Sequence, residues 1–232
     1  MNFSSETRLL VVAAHPDDEV LGAGGTLAKA VSQGAKVSII FLGEGISARF
    51  PLGQYDSPGF AQQTERRKEG AKRALKILGI EDVLYGERLC CQFDTYPIIT
   101  LVKEIEEHME KFKPTMLFTH NPSEVNIDHR ITYAAVEIAC RPTRSWVPKA
   151  IYTFEVVCSG NWKFQPHFQP NVFVDISGFW EKKIEAWHCY EGEARPFPFP
   201  RSDEGLMTLA NFRAMASGLK KAEAFYLARQ II

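Results

Sequence analysis

Arg8 to Ala14 reads RLLVVAA, a short apolar run that stops abruptly at the polar cluster His15-Pro16-Asp17-Asp18-Glu19. An apolar run without alternation is the pattern of a strand covered on both faces, as in a parallel sheet. Glu19 to Gln33 then carries Val20, Leu27, Ala28 and Val31 at helical spacing and ends before Gly34, a natural helix stop. Lys36 to Leu42 (KVSIIFL) is the next strand. Strand, helix and strand make a βαβ unit, whose crossover is almost always right-handed.

The same alternation continues. Gly43 to Phe60, rich in Gly, Pro, Ser and aromatics, reads as a long loop, and long loops in compact domains are usually functional or disordered. Ala61 to Leu78 and Pro97 to Lys113 read as amphipathic helices, Asp82 to Tyr85 and Thr115 to Thr119 (TMLFT) as strands. Asp128 to Cys140 is a helix stopped by Pro142, Ala150 to Val157 and Asn171 to Ile176 are further strands, and Gly178 to Tyr190 and the stretch from Asp203 onward read as helices. The expected fold class is α/β: one domain over residues 1–232, a Rossmann-like, mostly parallel sheet flanked by helices.

Composition excludes several classes of function. A formal net charge of -1 without any Lys/Arg run gives no electrostatic case for nucleic acid. No apolar stretch approaches the roughly 20 residues that span a bilayer, so no transmembrane segment is expected. The polar start, Met1 to Glu6, lacks the order of a signal peptide, and the five cysteines form an odd set without zinc-knuckle spacing. The expectation is a cytoplasmic protein with reduced thiols, Cys90 and Cys91 among them as partly buried bystanders. A homo-oligomer is compatible with this composition.

In open α/β sheets, sites form beyond the carboxyl ends of the strands. Two strands end in polar clusters, the first at His15 to Glu19 and the second running from His120 through Glu124 and Asn126 to Asp128 and His129. Pro16 suits a first helical position, and a helix N-terminus favours the carboxylates of Asp17, Asp18 and Glu19. That account needs neither His15 nor a second His and Asp cluster. His15 and Asp18, three apart, can face one point on a first turn. With His129 they make two imidazoles and one carboxylate, a set that suits catalytic zinc with one position left for water.

Ala14 to Ala28 (AHPDDEVLGAGGTLA) and Asn126 to Arg130 (NIDHR) resemble the two signatures of the PIG-L/LmbE-type zinc N-deacetylases. The resemblance extends through Glu65 to Gly79 (ERRKEGAKRALKILG) and weakly through RPFPFPRS and AEAF near the C-terminus. It implies Zn²⁺ bound by His15, Asp18 and His129, Asp17 as catalytic base, and an N-acetylglucosamine-type conjugate as the substrate that loses its acetyl group. Where many relatives carry a His thought to steady the oxyanion, this chain has Asn126, whose amide can donate but cannot be charged and which equally suits a helix cap. Asp128 is expected to orient an imidazole. Arg66 matches an arginine associated with sugar hydroxyls. Cys90 stands where some relatives have a sugar-contacting Asp, with Asp94 as the substitute. Glu44 and Arg49, from the long loop, are expected at the pocket, and Trp162, Phe164, Phe197 and Phe199 could stack on a sugar or anchor loops.

Two rival readings start from the same residues. His15-x-Asp17 with His129 also spells the two-His-one-carboxylate triad of non-haem Fe(II) oxygenases, although a strand-to-helix junction in a parallel sheet is an uncharacteristic setting for it. Gly22-Ala23-Gly24-Gly25 could be read as the phosphate loop of a non-catalytic nucleotide-binding domain, but the spacing departs from G-x-G-x-x-G and the glycines fall inside the helix. Packing against a neighbouring strand accounts for them better.

Overall fold

The computed structural model describes residues 1–232. Seven strands form one sheet: β1 Arg8–Ala13, β2 Lys36–Gly43, β3 Asp82–Arg88, β4 Met116–His120, β5 Ala150–Phe154, β6 Val172–Asp175 and β7 Ala222–Gln230, in the order β3-β2-β1-β4-β5-β7-β6. The first five pair in parallel, and β7 runs antiparallel between β5 and β6. The helices are α1 Asp18–Ser32, α2 Pro58–Leu78, α3 Ile98–Phe112, α4 Ile127–Ala139, α5 Trp180–His188 and α6 Asp203–Met215.

Side-chain alternation along β1 divides the core between the two faces of the sheet. Leu9, Val11 and Ala13 join the larger cluster with Leu27 of α1, Leu75 of α2 and Trp187 of α5. Leu10, Val12 and Ala14 join the smaller one with Ile105 of α3 and Val136 of α4. With both faces covered, β1 has no polar position between Arg8 and the point where the chain leaves the sheet, which is why its sequence shows no alternation.

The chain proceeds outward from β1 to β2 and β3, then returns to place β4 on the other side of β1. The carboxyl ends of β1 and β4 therefore meet where the winding reverses, the position at which open α/β sheets form their sites. The α1 glycines serve the packing there. A Cβ on Gly22 would come 2.3 Å from the Phe154 ring and one on Gly25 2.8 Å from Ile176, so they face protein and no open phosphate site.

Two boundaries differ from the sequence reading. α2 begins at Pro58, within the expected loop, because Ser57 caps it by accepting from the Phe60 N–H at 3.2 Å and Pro58 suits the first turn. More substantially, Ala222–Gln230 is a strand and not a continuation of the C-terminal helix. Its Ala, Glu, Leu, Arg and Gln are good helix formers, but neighbouring strands pair with it on both edges, and such context overrides intrinsic preference.

Candidate active site

The tip of β1 and the first turn of α1 hold His15, Asp17 and Asp18, while the first turn of α4, just beyond β4, holds Asp128 and His129. All five are buried. His15 Nδ1 lies 3.6 Å from Asp18 Oδ2, and His129 Nε2 lies 3.4 Å from Asp18 Oδ1. One ligand atom from each of His15, Asp18 and His129 falls within 4.8 Å of the other two. Asp18 Oδ2 accepts from the His15 backbone N–H, but Oδ1 is buried without any hydrogen-bond partner. A buried carboxylate oxygen without a donor is costly unless a cation faces it. The residues present therefore fit a divalent ion with two nitrogen donors and one oxygen donor.

Ionisation supports that arrangement. Burial opposes charge on Asp18, but His129, His120 and His15 outweigh it and hold its carboxyl well below the usual range. Burial pushes His129 down, which keeps it a neutral, ligand-ready imidazole. For His15, burial is outweighed by hydrogen bonds to Asp128 and Asp18, and its pKa rises to about 10. A cation arriving there displaces a proton.

The outer nitrogens of both imidazoles are held by carboxylates. Asp128 Oδ2 takes His15 Nε2 at 2.8 Å and also accepts the Cys91 N–H at 2.5 Å, while Oδ1 accepts the Phe93 N–H at 3.0 Å. Glu124 does the same for His129, whose Nδ1 donates to Oε2 at 2.5 Å, and Glu124 Oε1 accepts the Val156 N–H at 2.7 Å. His120 stacks on His129 with ring centroids 3.9 Å apart. Its Nδ1 lies 3.1 Å from Glu124 Oε2 and its Nε2 accepts the Ala14 N–H at 3.0 Å, so both nitrogens are occupied. Glu124 thus orients two rings from one carboxylate. Outer partners of this kind are worth about 10–100-fold in metal affinity, so Glu124→Ala is expected to weaken binding by that factor in competition with a chelating dye. Unchanged affinity would remove Glu124 from the site.

Asp17 projects to the other side. Its φ of 114° lies in the left-handed region, a conformation that costs a non-glycine residue of order 1–3 kcal/mol and concentrates at functional sites. Its Oδ2 accepts from Arg67 at 2.6 Å and Arg201 at 2.9 Å, whereas Oδ1 makes no hydrogen bond within the protein. Arg67 also pairs with Glu193 at 2.5 Å, and Arg49 reaches the same Glu193 oxygen at 2.6 Å. Burial raises the Asp17 pKa, against the pull of Arg67 and then Arg201. Behind it, Tyr190 donates to Glu19 Oε1 at 2.5 Å, and burial lifts the Glu19 carboxyl to about 8.

The remaining expected residues are less central. Arg66 points outward to Glu191, 62% exposed, and the arginine that enters the site is Arg67. The cause is helical phase: α2 buries Arg67, Gly70, Ala71, Ala74, Leu75 and Leu78 along one stripe, and Arg66 lies off it. Arg49, Arg66 and Arg67 line a cavity of about 420 Å³ with Tyr190 and Glu193. Glu44 lines a further cavity of about 350 Å³ beside Pro16, with its oxygens committed to the N–H groups of Ile46, Ser47 and Cys90, which also makes it a loop anchor. Asp94 sits exposed on a short turn, Phe93–Thr95, whose Phe93 ring packs beside His15 with centroids 5.7 Å apart. Asn126 caps α4, its Oδ1 accepting the Asp128 N–H at 2.9 Å, and its amide nitrogen makes no bond within the protein. Trp162 and Phe199 pack against each other at 6.4 Å, and Phe164 is exposed. Glu124 belongs to the polar cluster after β4 and Arg201 to the RPFPFPRS stretch, but no spacing assigned either a role, and Glu193 had no sequence signal; Glu193 and Arg201 lie on irregular chain between α5 and α6.

The chain is similar to several known proteins. The diacetylchitobiose deacetylase of Thermococcus kodakarensis is 28% identical over 232 residues, covering 95% of this chain and 83% of that protein. The 1D-myo-inositol 2-acetamido-2-deoxy-alpha-D-glucopyranoside deacetylase of Kribbella flavida is 27% identical over 187 residues, 64% of this chain and 62% of that protein. Among solved structures, the 4-carboxy-2-hydroxymuconate hydratase GalB of Pseudomonas putida superposes with a TM-score of 0.76 at 22% identity, covering 97% of this chain and 98% of that one. That likeness concerns the fold alone, and a fold does not choose a reaction. Residues 10–140, more than half of the chain, match the family described as PIG-L: GlcNAc-PI de-N-acetylase, and the chain belongs to that family.

Proposed function

We propose that the chain is a zinc-dependent hydrolase that removes the acetyl group from the nitrogen of an N-acetylated sugar. The observation that carries this reading is the buried His15, Asp18 and His129 donor set, with Asp18 Oδ1 unpartnered and the open Oδ1 of Asp17 at its side. The family description and the names of the two deacetylase relatives support the acetamido sugar as substrate class. No helix is long and apolar enough to cross a membrane, and the free thiols of all five cysteines favour a cytoplasmic setting.

His15, Asp18 and His129 would hold the ion, which when bound lowers the pKa of water and polarises the amide carbonyl. Asp17 supplies the proton transfers. With Oδ2 fixed by Arg67 and Arg201, Oδ1 accepts the proton of the attacking water and returns it to the sugar nitrogen as the bond between that nitrogen and the acetyl carbon breaks, leaving acetate and the free amine. The free amide nitrogen of Asn126 is a donor available to the developing oxyanion. Arg67, Arg49 and Glu193 offer donors and acceptors for hydroxyls along the cavity.

A panel of free N-acetylglucosamine, diacetylchitobiose, an N-acetylglucosaminyl inositol and a nucleotide-linked N-acetylglucosamine tests the reading. Equal amounts of acetate and free amine are expected from at least one of them. Water addition to an unsaturated dicarboxylate, without acetate from any sugar, would replace deacetylation with hydration.

A further inference from the structure

The thiols of Cys90 and Cys91 adjoin this cluster, and only the backbone N–H groups of the two residues have a part in it so far. Their sulfurs lie 3.8 Å apart, Cys90 buried and Cys91 exposed. Cys90 Sγ, a His15 ring nitrogen and an Asp128 oxygen all fall within 4.8 Å of one another. Cys91 has a φ of 60°, left-handed for a side-chain-bearing residue, and its N–H is fixed on Asp128 while the Cys90 N–H is fixed on Glu44 at 2.8 Å. The two thiols are thus presented side by side by a backbone tied down at both residues.

A disulfide is a poor use of such a pair. Ordinary disulfides join Cα atoms roughly 4.4–6.8 Å apart, and adjacent Cα atoms are held at about 3.8 Å. A single bridging ion suits the pair better. Two zinc–sulfur bonds of about 2.3 Å at a tetrahedral angle set their sulfurs about 3.8 Å apart, which is the spacing found here. The neighbouring Asp128 carboxylate offers an oxygen donor on the inner side.

We propose that Cys90 and Cys91 form a second, thiophilic cation site at the rim of the catalytic cluster, which takes zinc in excess of the first ion, or cadmium, and slows the hydrolase when filled. Binding exchanges two thiol protons for one divalent ion, with no change of oxidation state. Inhibition follows from the connections of the loop. The Cys91 and Phe93 N–H groups hold both oxygens of Asp128, and Asp128 holds His15. Drawing the two sulfurs onto an ion, with Asp128 as a further donor, loosens that support and narrows the approach to His15. Of the other free thiols, Cys140 lies against Met109, Cys189 beside Arg73, and Cys158 beside Arg201 on the Asp17 side of the site, apart from the Cys90–Cys91 pair.

The inhibition rests on the proposed hydrolase, whereas the binding does not, so the two are measured separately. Protein holding one ion per chain is titrated with Cd²⁺ while the thiolate-to-cadmium charge-transfer absorption is followed. One further equivalent is expected with that band, and deacetylation falls about 10-fold as it fills. In Cys90→Ser and Cys91→Ser the band and the extra equivalent vanish, the first ion remains, and each variant keeps its own starting rate on titration. Reversible blocking of the thiols of the unmodified chain with methyl methanethiosulfonate gives the same result without a substitution. An extra equivalent that persists in both variants, or binds without the band, overturns the site; a band without loss of rate overturns the coupling. Protein that takes up only the cysteine-dependent ion would instead defeat the proposed catalytic centre and leave this site standing.

Discussion

Asp17→Asn is expected to lower kcat by about 10³–10⁴-fold while the protein keeps its metal, because general acid–base transfer contributes up to this range and one residue serves both halves of the reaction. The geometry allows a clean separation. Asp17 Oδ2 is occupied by Arg67 and Arg201, and Asp17 lies beside the donor set and not in it. The pH profile gives an independent handle. Burial raises the Asp17 pKa above that of an ordinary aspartate, and the group acts in its ionised form. Activity is therefore lost as pH falls through that raised pKa, so the acidic limb of kcat/KM lies above the range of an exposed aspartate and is absent in Asp17→Asn. Removing the guanidinium in Arg67→Met takes away the strongest pull toward ionisation, which moves the limb to still higher pH. Loss of metal in Asp17→Asn, or a limb that survives the substitution, would assign Asp17 another role.

Asp18→Asn, next in sequence, has the opposite signature. Its carboxylate faces His15, His120 and His129 within 3.6 Å and is held well below the usual carboxylate range by them. Breaking one partner out of a buried charged set costs about 3–5 kcal/mol, or about 10²–10⁴-fold in affinity. Asp18→Asn should lose metal and activity in parallel, as should His129→Ala. The measurement is metal content by mass spectrometry beside kcat in the same preparation. If Asp18→Asn keeps its ion and Asp17→Asn loses it, the donor set is His15, Asp17 and His129, and the iron triad returns as the better description.

The half of the sheet around β1 was legible because its residues leave few alternatives. RLLVVA is buried on both faces, and a polar cluster directly after such a strand has nowhere to lie but the end of the sheet. The meeting of His15, Asp18 and His129 was legible for the same reason: His15 and Asp18 lie within one turn, and His129 follows the neighbouring strand. β7 was not, since AEAFYLARQ carries helix formers and becomes a strand only through β5 and β6 on its two sides. Arg67 could have been found. The inward stripe of Ala71, Ala74, Leu75 and Leu78 extends back to residue 67 at helical period and passes over Arg66. Glu124, five residues before His129 on irregular chain, and Glu193 and Arg201, on the far side of the molecule in sequence, have no periodicity that points to them. Their places depend on how α4 and the segment between α5 and α6 close over the strand ends.

The central claim is that one ion held by His15, Asp18 and His129 is required to release acetate from an acetamido sugar. Its most direct measurement is acetate release from diacetylchitobiose, or whichever member of the panel is cleaved best, by chelated protein titrated with Zn²⁺. Activity absent from the metal-free protein and rising linearly to a plateau at about one zinc per chain is the expected result. Full acetate release by protein shown to hold no metal would contradict the account.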